Sequence, residues 1–180
     1  MQNPFLVGER TYLRPLERED AARLVPWFND AEVTRYTTQF RPKARDDEEE
    51  FIERMRRSEH DVLFGIAARG SDALIGATGL HAIDARNRSA TLGIVVGDRS
   101  AWGQRHGTEA TTLIVGYAFD TLNLNRVALE VAVANERAVR IYKRVGFKKE
   151  GLLRQSFFRD GRFQDSLVMS ILREEWGAKR

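Results

Sequence analysis

Apolar and β-branched residues alternate with polar ones in short runs, and most runs end at a turn signal. Residues 62–68, 73–81 and 88–96 are three such runs, separated by the polar turns RGSD (69–72) and DARN (84–87). Alternating runs of this length predict strands, and short connections predict antiparallel neighbours. The full set of predicted strands is residues 8–16, 62–68, 73–81, 88–96, 126–133, 148–157 and 163–172.

The apolar period lengthens to that of a helix in the remaining segments. From residue 108 one stripe repeats at i, i+3, i+4, i+7 and i+8: Ala110, Leu113, Ile114, Tyr117 and Ala118. Residues 46–57 place acids first and arginines last, which suits the helix dipole. A helix over 136–145 follows Asn135, a good N-cap, and stops at Gly146. Shorter helices are predicted over 17–28 and 30–36.

The order of these elements indicates an α/β (α+β) fold. Strands followed by helix, strand, helix and strands predict a single mixed, mostly antiparallel sheet of about seven strands, flanked by helices. No internal repeat or low-complexity linker divides the 180 residues, so one domain over residues 1–180 is expected.

Composition excludes several classes of site. The chain has no cysteine, which removes disulfides and Cys-ligated metals, and His60, His81 and His106 lack metal-ligand spacing. No apolar run approaches the ~20 residues of a membrane-spanning helix, and the first residues lack the features of a secretory signal. A net charge of +3 is too small to indicate a nucleic-acid partner. We expect a cytoplasmic protein with no metal, membrane or nucleic-acid partner.

The junction between residues 88 and 110 is the most informative stretch. A predicted strand ends near Val96, a loop reads Trp102-Gly-Gln-Arg-His-Gly107, and a helix begins at once. Such a turn aims free backbone N–H groups and the positive end of a helix dipole at one point, which suits a pyrophosphate. It matches neither the P-loop nor the dinucleotide fingerprint, and alone it is as typical of a structural turn.

This run resembles motif A of the GNAT superfamily of N-acetyltransferases, R/Q-x-x-G-x-G/A. Trp102 stands in the first slot, Arg105 in the first glycine slot and Gly107 in the last. The segments WGQRHGTEA, YAFDTLNLNRVALEV and NERAVRIYKRVGF are most similar to the RimJ/RimL branch, the ribosomal-protein N-terminal acetyltransferases. The resemblance extends from about Tyr12 to Trp176.

The resemblance implies acetyl-CoA as cosubstrate, lying where the fourth and fifth predicted strands splay apart. Backbone groups of Ile94, Val95 and Val96 would then pair with the pantetheine. Backbone amides would hold the pyrophosphate: Gln104, Arg105, His106, Gly107 and Thr108. The His106 side chain could also touch phosphate, and Gly93 within its strand independently indicates a bulge or a close backbone approach.

Two further residues have roles implied by the resemblance. Asn135 would contact the pantetheine, although it also suits a helix cap, and both roles can hold together. Tyr142 would hydrogen-bond the thioester sulfur and act as general acid toward the leaving thiolate. An alternative is that Tyr142 is only a core aromatic, since Ala138, Ile141 and Val145 form an apolar stripe beside it.

Basic residues concentrate in the same half. Residues 101–162 carry eleven Lys/Arg against six Asp/Glu, whereas the remainder carries eighteen against twenty. A cofactor with three phosphate groups requires such a field. The cations expected to contribute, although a solvated helix face explains the last two equally well, are Arg105, Arg137, Arg140 and Lys143.

Two positions depart from the family pattern. Arg105 replaces a usual glycine and would strain the loop if its φ is positive. Thr91 stands where many relatives have a glutamate base, and a hydroxyl cannot usefully accept a proton. An α-amine is about one-seventh neutral at pH 7, against about 1 part in 2,500 for a lysine-like amine, so Thr91 slightly favours an α-amine acceptor. Glu130, Asp84 or a water relay could also serve as the base, whereas His81 is more typical of a structural histidine.

The resemblance therefore predicts direct acetyl transfer from acetyl-CoA to a primary amine, with a protein N-terminal α-amine as the leading acceptor. A polyamine or other small amine is the alternative, because the hairpin wording of residues 157–165 also occurs in polyamine acetyltransferases. The acidic cluster at residues 46–50 would favour it if it lined the acceptor mouth. A non-catalytic acyl-CoA-binding domain is a second alternative, and a homodimer is possible by the resemblance.

Overall fold

The computed structural model describes residues 1–178, and its centre is one eight-stranded sheet in the order β1-β2-β3-β4-β5-β6-β8-β7. All neighbours are antiparallel except β5 and β6, which run parallel. The strands are β1 Leu6–Val7, β2 Thr11–Pro15, β3 Val62–Ala68, β4 Leu74–Asp84, β5 Ser89–Val96, β6 Arg126–Ala132, β7 Lys148–Arg159 and β8 Arg162–Leu172. The mixed, mostly antiparallel α/β fold is confirmed.

Within residues 1–178, six α-helices flank the sheet. They are α1 Ala21–Phe28, α2 Ala31–Thr34, α3 Arg45–Arg56, α4 His106–Asp120, α5 Glu136–Val145 and α6 Arg173–Gly177. The helix predicted over 17–28 is divided, since a 3-10 turn over Arg18–Asp20 precedes α1. Strand β1 and helix α6 were not predicted, because two and five residues are too few for a period to show.

The two faces of the sheet carry separate cores. On one face α4 and α5 pack against β-strand residues such as Leu13, Ile66 and Leu92. On the other face α1 and α3 cover a smaller cluster that includes Leu24, Ile52 and Ala77. The helices hold the strands from both sides, so the sheet can open at its centre without exposing either core.

The sheet opens between β5 and β6. Only Ser89, Ala90 and Thr91 of β5 pair with β6. Beyond Thr91, strand β5 continues against β4 alone, while β6 continues against β8 to Ala132. The strand pair therefore forms a V whose mouth faces the N-terminus of α4, as the family resemblance implied for the fourth and fifth predicted strands.

Candidate active site

A cleft of about 960 Å³ fills the V and extends across the sheet face that carries α1 and α3. One end is formed by β5, the loop before α4, and α5. The other end is formed by α2, the segment after it, and α3. We call these the donor end and the acceptor end.

At the donor end, the backbone of β5 has one free side. The Val95 carbonyl points toward β4, because a Cβ atom at Gly76 would collide with it. Alternation along the strand then turns the backbone groups of Ile94 and Val96 toward the cleft. The Val96 carbonyl already accepts the Trp102 indole N–H at 2.8 Å. An extended ligand could thus pair with Ile94 and the Val96 amide, whereas Val95 contributes its side chain to the cleft.

The loop before α4 forms an anion cradle. Helix α4 begins at His106, so the amides of its first turn lack acceptors within the helix and point to the cleft. A Cβ atom at Gly107 would make only ordinary contacts, at 3.6 Å and 3.7 Å, with Val96 and Ile141. Internal packing therefore does not require glycine at this position.

Not every residue predicted for the cradle lies in the lining of the cleft. Arg105, His106, Gly107 and Thr108 all line it. The Gln104 side chain turns back to donate to the Ser100 carbonyl at 2.7 Å, which fixes the loop.

Arg105 adopts the left-handed conformation, with φ 69° and ψ 2°. This backbone geometry explains why the family usually has glycine at this position. The arginine therefore carries the backbone strain expected of a non-glycine residue with positive φ. A non-glycine residue in this region costs about 1–2 kcal/mol. In exchange, Arg105 places a guanidinium on the wall of the cleft.

Cations gather at this end around Trp102. The Arg137 guanidinium lies 5.5 Å and that of Arg99 5.9 Å from the indole ring centroid. Arg140 lines the cleft but is paired with Glu136 at 3.1 Å. Of the four predicted cations, Lys143 lies outside the cleft lining, and the adjacent Arg144 lies within it.

The His106 ring is directed into the protein. Its Nδ1 atom lies 2.8 Å from the Thr11 hydroxyl, and the residue is buried. The expectation that this side chain touches phosphate is therefore wrong. Only the backbone amide of His106 remains available for an anion.

Asn135 and Tyr142 both line the cleft from α5. The Asn135 carboxamide oxygen accepts the Ala138 amide at 3.2 Å, so the residue is a helix cap on the cleft wall. Tyr142 is 8% exposed and packs against Phe147 with ring centroids 5.8 Å apart. Burial raises the pKa of Tyr142 to about 12, so the phenol keeps its proton at any physiological pH. Such a group can donate a hydrogen bond but cannot serve as a base.

The possible bases differ in position. Thr91 and Glu130 both line the cleft. Asp84 is the last residue of β4, and Asn87 hydrogen-bonds both of its carboxylate oxygens. Among the described residues, it is absent from the cleft lining. Asp84 is therefore badly placed to act as base.

His81 was not predicted as a functional residue, yet its ring lies in the cleft. Its Nδ1 atom is 3.2 Å from an Asp61 carboxylate oxygen. The signal that could have found it is the pairing of β4 with β5, which places His81 directly opposite Thr91.

The acceptor end is partly neutralised by ion pairs. Glu48 is buried and pairs with Lys43 at 2.9 Å, while Glu32 pairs with Arg99 at 2.7 Å. Burial raises the pKa of Glu48 against the opposing effect of Lys43. Of the acidic cluster at residues 46–50, only Glu48 lines the cleft. The cluster thus gives no strong field for a cationic acceptor.

The segment after α2 covers the acceptor end. Residues 35–39 line the cleft, and the Arg159 guanidinium donates to the carbonyls of Thr37 and Gln39, both at 2.8 Å. Arg159 belongs to the β7–β8 hairpin, so the hairpin is tied to the segment that lines this end of the cleft. We call this tie the Arg159 strap.

No group of three or more His, Asp or Glu side chains able to hold a metal occurs within residues 1–178. In the same range, none of the helices combines the length and apolar character required to cross a bilayer.

Comparison with known proteins agrees with this geometry. A family model described as an acetyltransferase (GNAT) domain matches residues 10–148. A Bacillus subtilis protein provisionally named a ribosomal N-acetyltransferase is 31% identical over 187 residues, covering 97% of both chains. The spermidine N(1)-acetyltransferase of Escherichia coli K12 is 30% identical over 167 residues, covering 93% of this chain and 88% of the relative.

A solved structure is similar over nearly the whole length. The spermidine N-acetyltransferase from Vibrio cholerae, crystallised with CoA and spermine, superposes with a TM-score of 0.88 at 29% identity. The match covers 94% of this chain and 99% of that one.

Proposed function

The chain belongs to the GNAT family of acetyltransferases, and we propose that its acceptor is a small aliphatic polyamine. The protein is an acetyl-CoA-dependent N-acetyltransferase. In the transfer, the amine nitrogen forms a bond to the acetyl carbon, the carbon–sulfur bond breaks, the amine loses a proton and CoA leaves as a thiolate. Membership of this enzyme family argues against the alternative of a non-catalytic acyl-CoA-binding domain, which Thr91 and Arg105 had left open.

The proposal for the donor end follows the geometry. Ile94 and Val96 would pair with the pantetheine and the first turn of α4 would hold the pyrophosphate. Tyr142 would donate a hydrogen bond to the sulfur as negative charge develops there. A phenol that keeps its proton is suited to this role, because a hydrogen bond to an ionised acceptor is worth about 1.5–3 kcal/mol.

The observation that carries the choice of acceptor is the Arg159 strap. It ties the segment after α2, which lines the acceptor end, to the β7–β8 hairpin, so this wall of the cleft is held in place by hydrogen bonds to its backbone. A fixed wall of this kind suits a narrow aliphatic chain, whereas a folded protein's N-terminal segment requires an open groove. The similarity to two spermidine acetyltransferases supports the same class of acceptor.

Glu130 supplies one anion for a cationic acceptor. Its side chain is exposed to the cleft, and it forms no ion pair with any residue in the described part of the chain. A single carboxylate suits an amine that carries a second ammonium group away from the reacting nitrogen. In a partly desolvated cleft this contact should contribute about 1.4 kcal/mol, which is tenfold in affinity.

CoA release in a panel of acceptors tests the proposal. Spermidine, spermine, a neutral-tailed alkylamine and peptides with free N-termini are compared at equal concentration. We expect spermidine to exceed every peptide in kcat/KM. Glu130→Gln should raise KM for spermidine about tenfold and leave the alkylamine unchanged. Glu174→Gln, an exposed carboxylate outside the cleft, is the matched control. A peptide preferred over spermidine refutes the proposal.

A protein N-terminal α-amine is the second candidate. Thr91 favours it, because a less basic amine needs less help in losing its proton. The relative named as a ribosomal acetyltransferase supports it as well. The RimJ/RimL branch and a homodimer both stay predictions from the sequence.

A further inference from the structure

We propose that His81 is the general base of this transferase and that Asp61 is its positioning residue. The inference deepens the proposed function, since it names the group that removes the acceptor's proton. It rests on the geometry of three strands at the point where the V begins.

The Asp61 carboxylate is fixed in place by several donors. Ser58 donates its hydroxyl to one oxygen at 2.7 Å, and the Ala82 amide donates to the other at 3.3 Å. That second oxygen also meets His81 Nδ1 at 3.2 Å. The Ser58 hydroxyl, followed by the Ala82 amide and His81, holds the pKa of Asp61 below its usual range. An ionised carboxylate only accepts, so Nδ1 donates this hydrogen bond, and in the neutral imidazole Nε2 then carries the lone pair.

The His81 ring lies over two glycines of the sheet. Cβ atoms added at Gly93 and Gly79 would stand 3.1 Å and 3.3 Å from Nε2. Gly79 and Gly93 face each other across β4 and β5, and a side chain at either position would displace the ring. The absence of side chains at these two glycines thus lets the imidazole pack flat on the cleft face of the sheet, beside Ile94. Within residues 1–178, no protein atom hydrogen-bonds to Nε2, so it is available to a ligand or water.

The position of His81 explains how the chain can lack a carboxylate base at Thr91. The two residues are paired in register, so their side chains share one face of the sheet. The family's usual carboxylate slot and His81 are therefore neighbours on the cleft floor. In this chain His81 of β4 can therefore supply the base that relatives carry at the Thr91 position of β5.

Other ionisable groups surround the site from each packed element. Asp61 approaches from the segment before β3, Glu130 from β6, and Tyr142 from α5. His60 is exposed, and its Nδ1 lies 3.3 Å from the Ile83 carbonyl, while Asp84 is bound to Asn87. Of the two histidines in this group, His81 and not His60 lies in the cleft lining, with its Nδ1 fixed by Asp61 and its Nε2 available.

The proton transfer balances simply. As the amine nitrogen bonds to the acetyl carbon, His81 Nε2 takes its proton, directly or across one water. Asp61 stabilises the imidazolium that results. The departing CoA sulfur takes the electron pair of the broken carbon–sulfur bond, and the imidazolium later returns its proton to solvent.

The test uses variants that separate a base from a structural residue. His81→Asn keeps an amide donor near the Nδ1 position for Asp61 but has no Nε2. Asp61→Asn keeps the shape and loses the charge. His60→Gln is the matched control, because His60 is a neighbouring histidine outside the cleft lining. Each variant is assayed for kcat/KM from pH 6 to 10, with CoA affinity measured by calorimetry and folding by thermal unfolding.

We expect His81→Asn to lower kcat/KM at pH 7 by about 100-fold, with the deficit shrinking as rising pH supplies neutral amine. Asp61→Asn should lower it by a smaller factor, and His60→Gln should match the wild type. CoA affinity should stay unchanged in all three.

Activity of His81→Asn within threefold of the wild type at pH 7 would overturn the inference, as would a deficit that is constant with pH. If His81→Asn does not fold, a wild-type pH profile in Asp61→Asn would overturn it. The assay uses whichever amine the wild type turns over best. A peptide preferred over spermidine refutes the proposed acceptor while the comparison of variants still decides the base.

Discussion

Replacing Tyr142 with phenylalanine tests the donor end of the mechanism with the smallest possible change. The substitution removes one oxygen and keeps the ring that packs against Phe147. Because the residue is 8% exposed, the phenylalanine should occupy the same space without disturbing α5. Any loss of turnover then reports on the hydroxyl.

The expected size of the loss follows from the protonation state. The phenol has a pKa of about 12, so it is a neutral donor throughout the working range of the enzyme. Its hydrogen bond strengthens as the sulfur becomes a thiolate, and a charge-assisted bond is worth about 1.5–3 kcal/mol. This corresponds to a decrease in kcat of about 10- to 150-fold, since 1.36 kcal/mol is tenfold in rate.

The assay is steady-state CoA release at saturating spermidine and acetyl-CoA, with CoA affinity measured separately by calorimetry. Tyr117→Phe is the matched control. Tyr117 is also a partly buried tyrosine with a pKa raised by burial, but it packs against Phe5 and Phe64 and lies outside the cleft lining. A kcat for Tyr142→Phe within twofold of the Tyr117→Phe value would refute the hydrogen bond to the departing sulfur, and a parallel loss of CoA affinity would assign Tyr142 to binding instead.

Two predictions concern stability. The raised pKa of Tyr142 favours the neutral phenol in the folded state, so its contribution is complete below pH 10 and is lost as the pH rises from 10 to 12. With a folded pKa of about 12 against about 10 unfolded, urea unfolding should show the wild type losing about 2–3 kcal/mol relative to Tyr142→Phe over that range, and parallel curves would contradict this. Replacing Arg105 with glycine should relieve the strain of the left-handed backbone conformation, whereas replacing it with alanine should not. The free energy of unfolding of Arg105→Gly should exceed that of Arg105→Ala by about 0.5–1 kcal/mol, after allowing for the greater unfolded-state entropy of glycine. Equal free energies of unfolding would show that the loop carries no strain.

The fold was predictable because its elements are long enough to show a period. The stripe of α4, the cap at Asn135 and the stop at Gly146 are local signals, and each is where the sequence predicts it. The V between β5 and β6 came from the family resemblance, since strand divergence leaves no mark on periodicity beyond Gly93.

The site was predictable only where backbone performs the task. The turn before α4 follows from the sequence, but side-chain direction does not: His106 turns inward to Thr11, and His81 turns over the cleft toward Asp61. Both outcomes depend on partners far away in the chain, about which the local pattern carries no information. The conformation of Arg105 also required the structure, because only the backbone φ decides whether a non-glycine residue is strained there.

The three-residue pairing between β5 and β6 has a mechanical consequence. Strands β1–β5 and β6–β8 are joined within the sheet by a single short seam, so an elongated ligand paired in the V would add contacts between the two halves. A ligand that binds only the folded protein stabilises it by about 2.7 kcal/mol at a hundredfold excess over its Kd. With its donor bound, the folded protein should therefore resist unfolding more than it does after CoA has left.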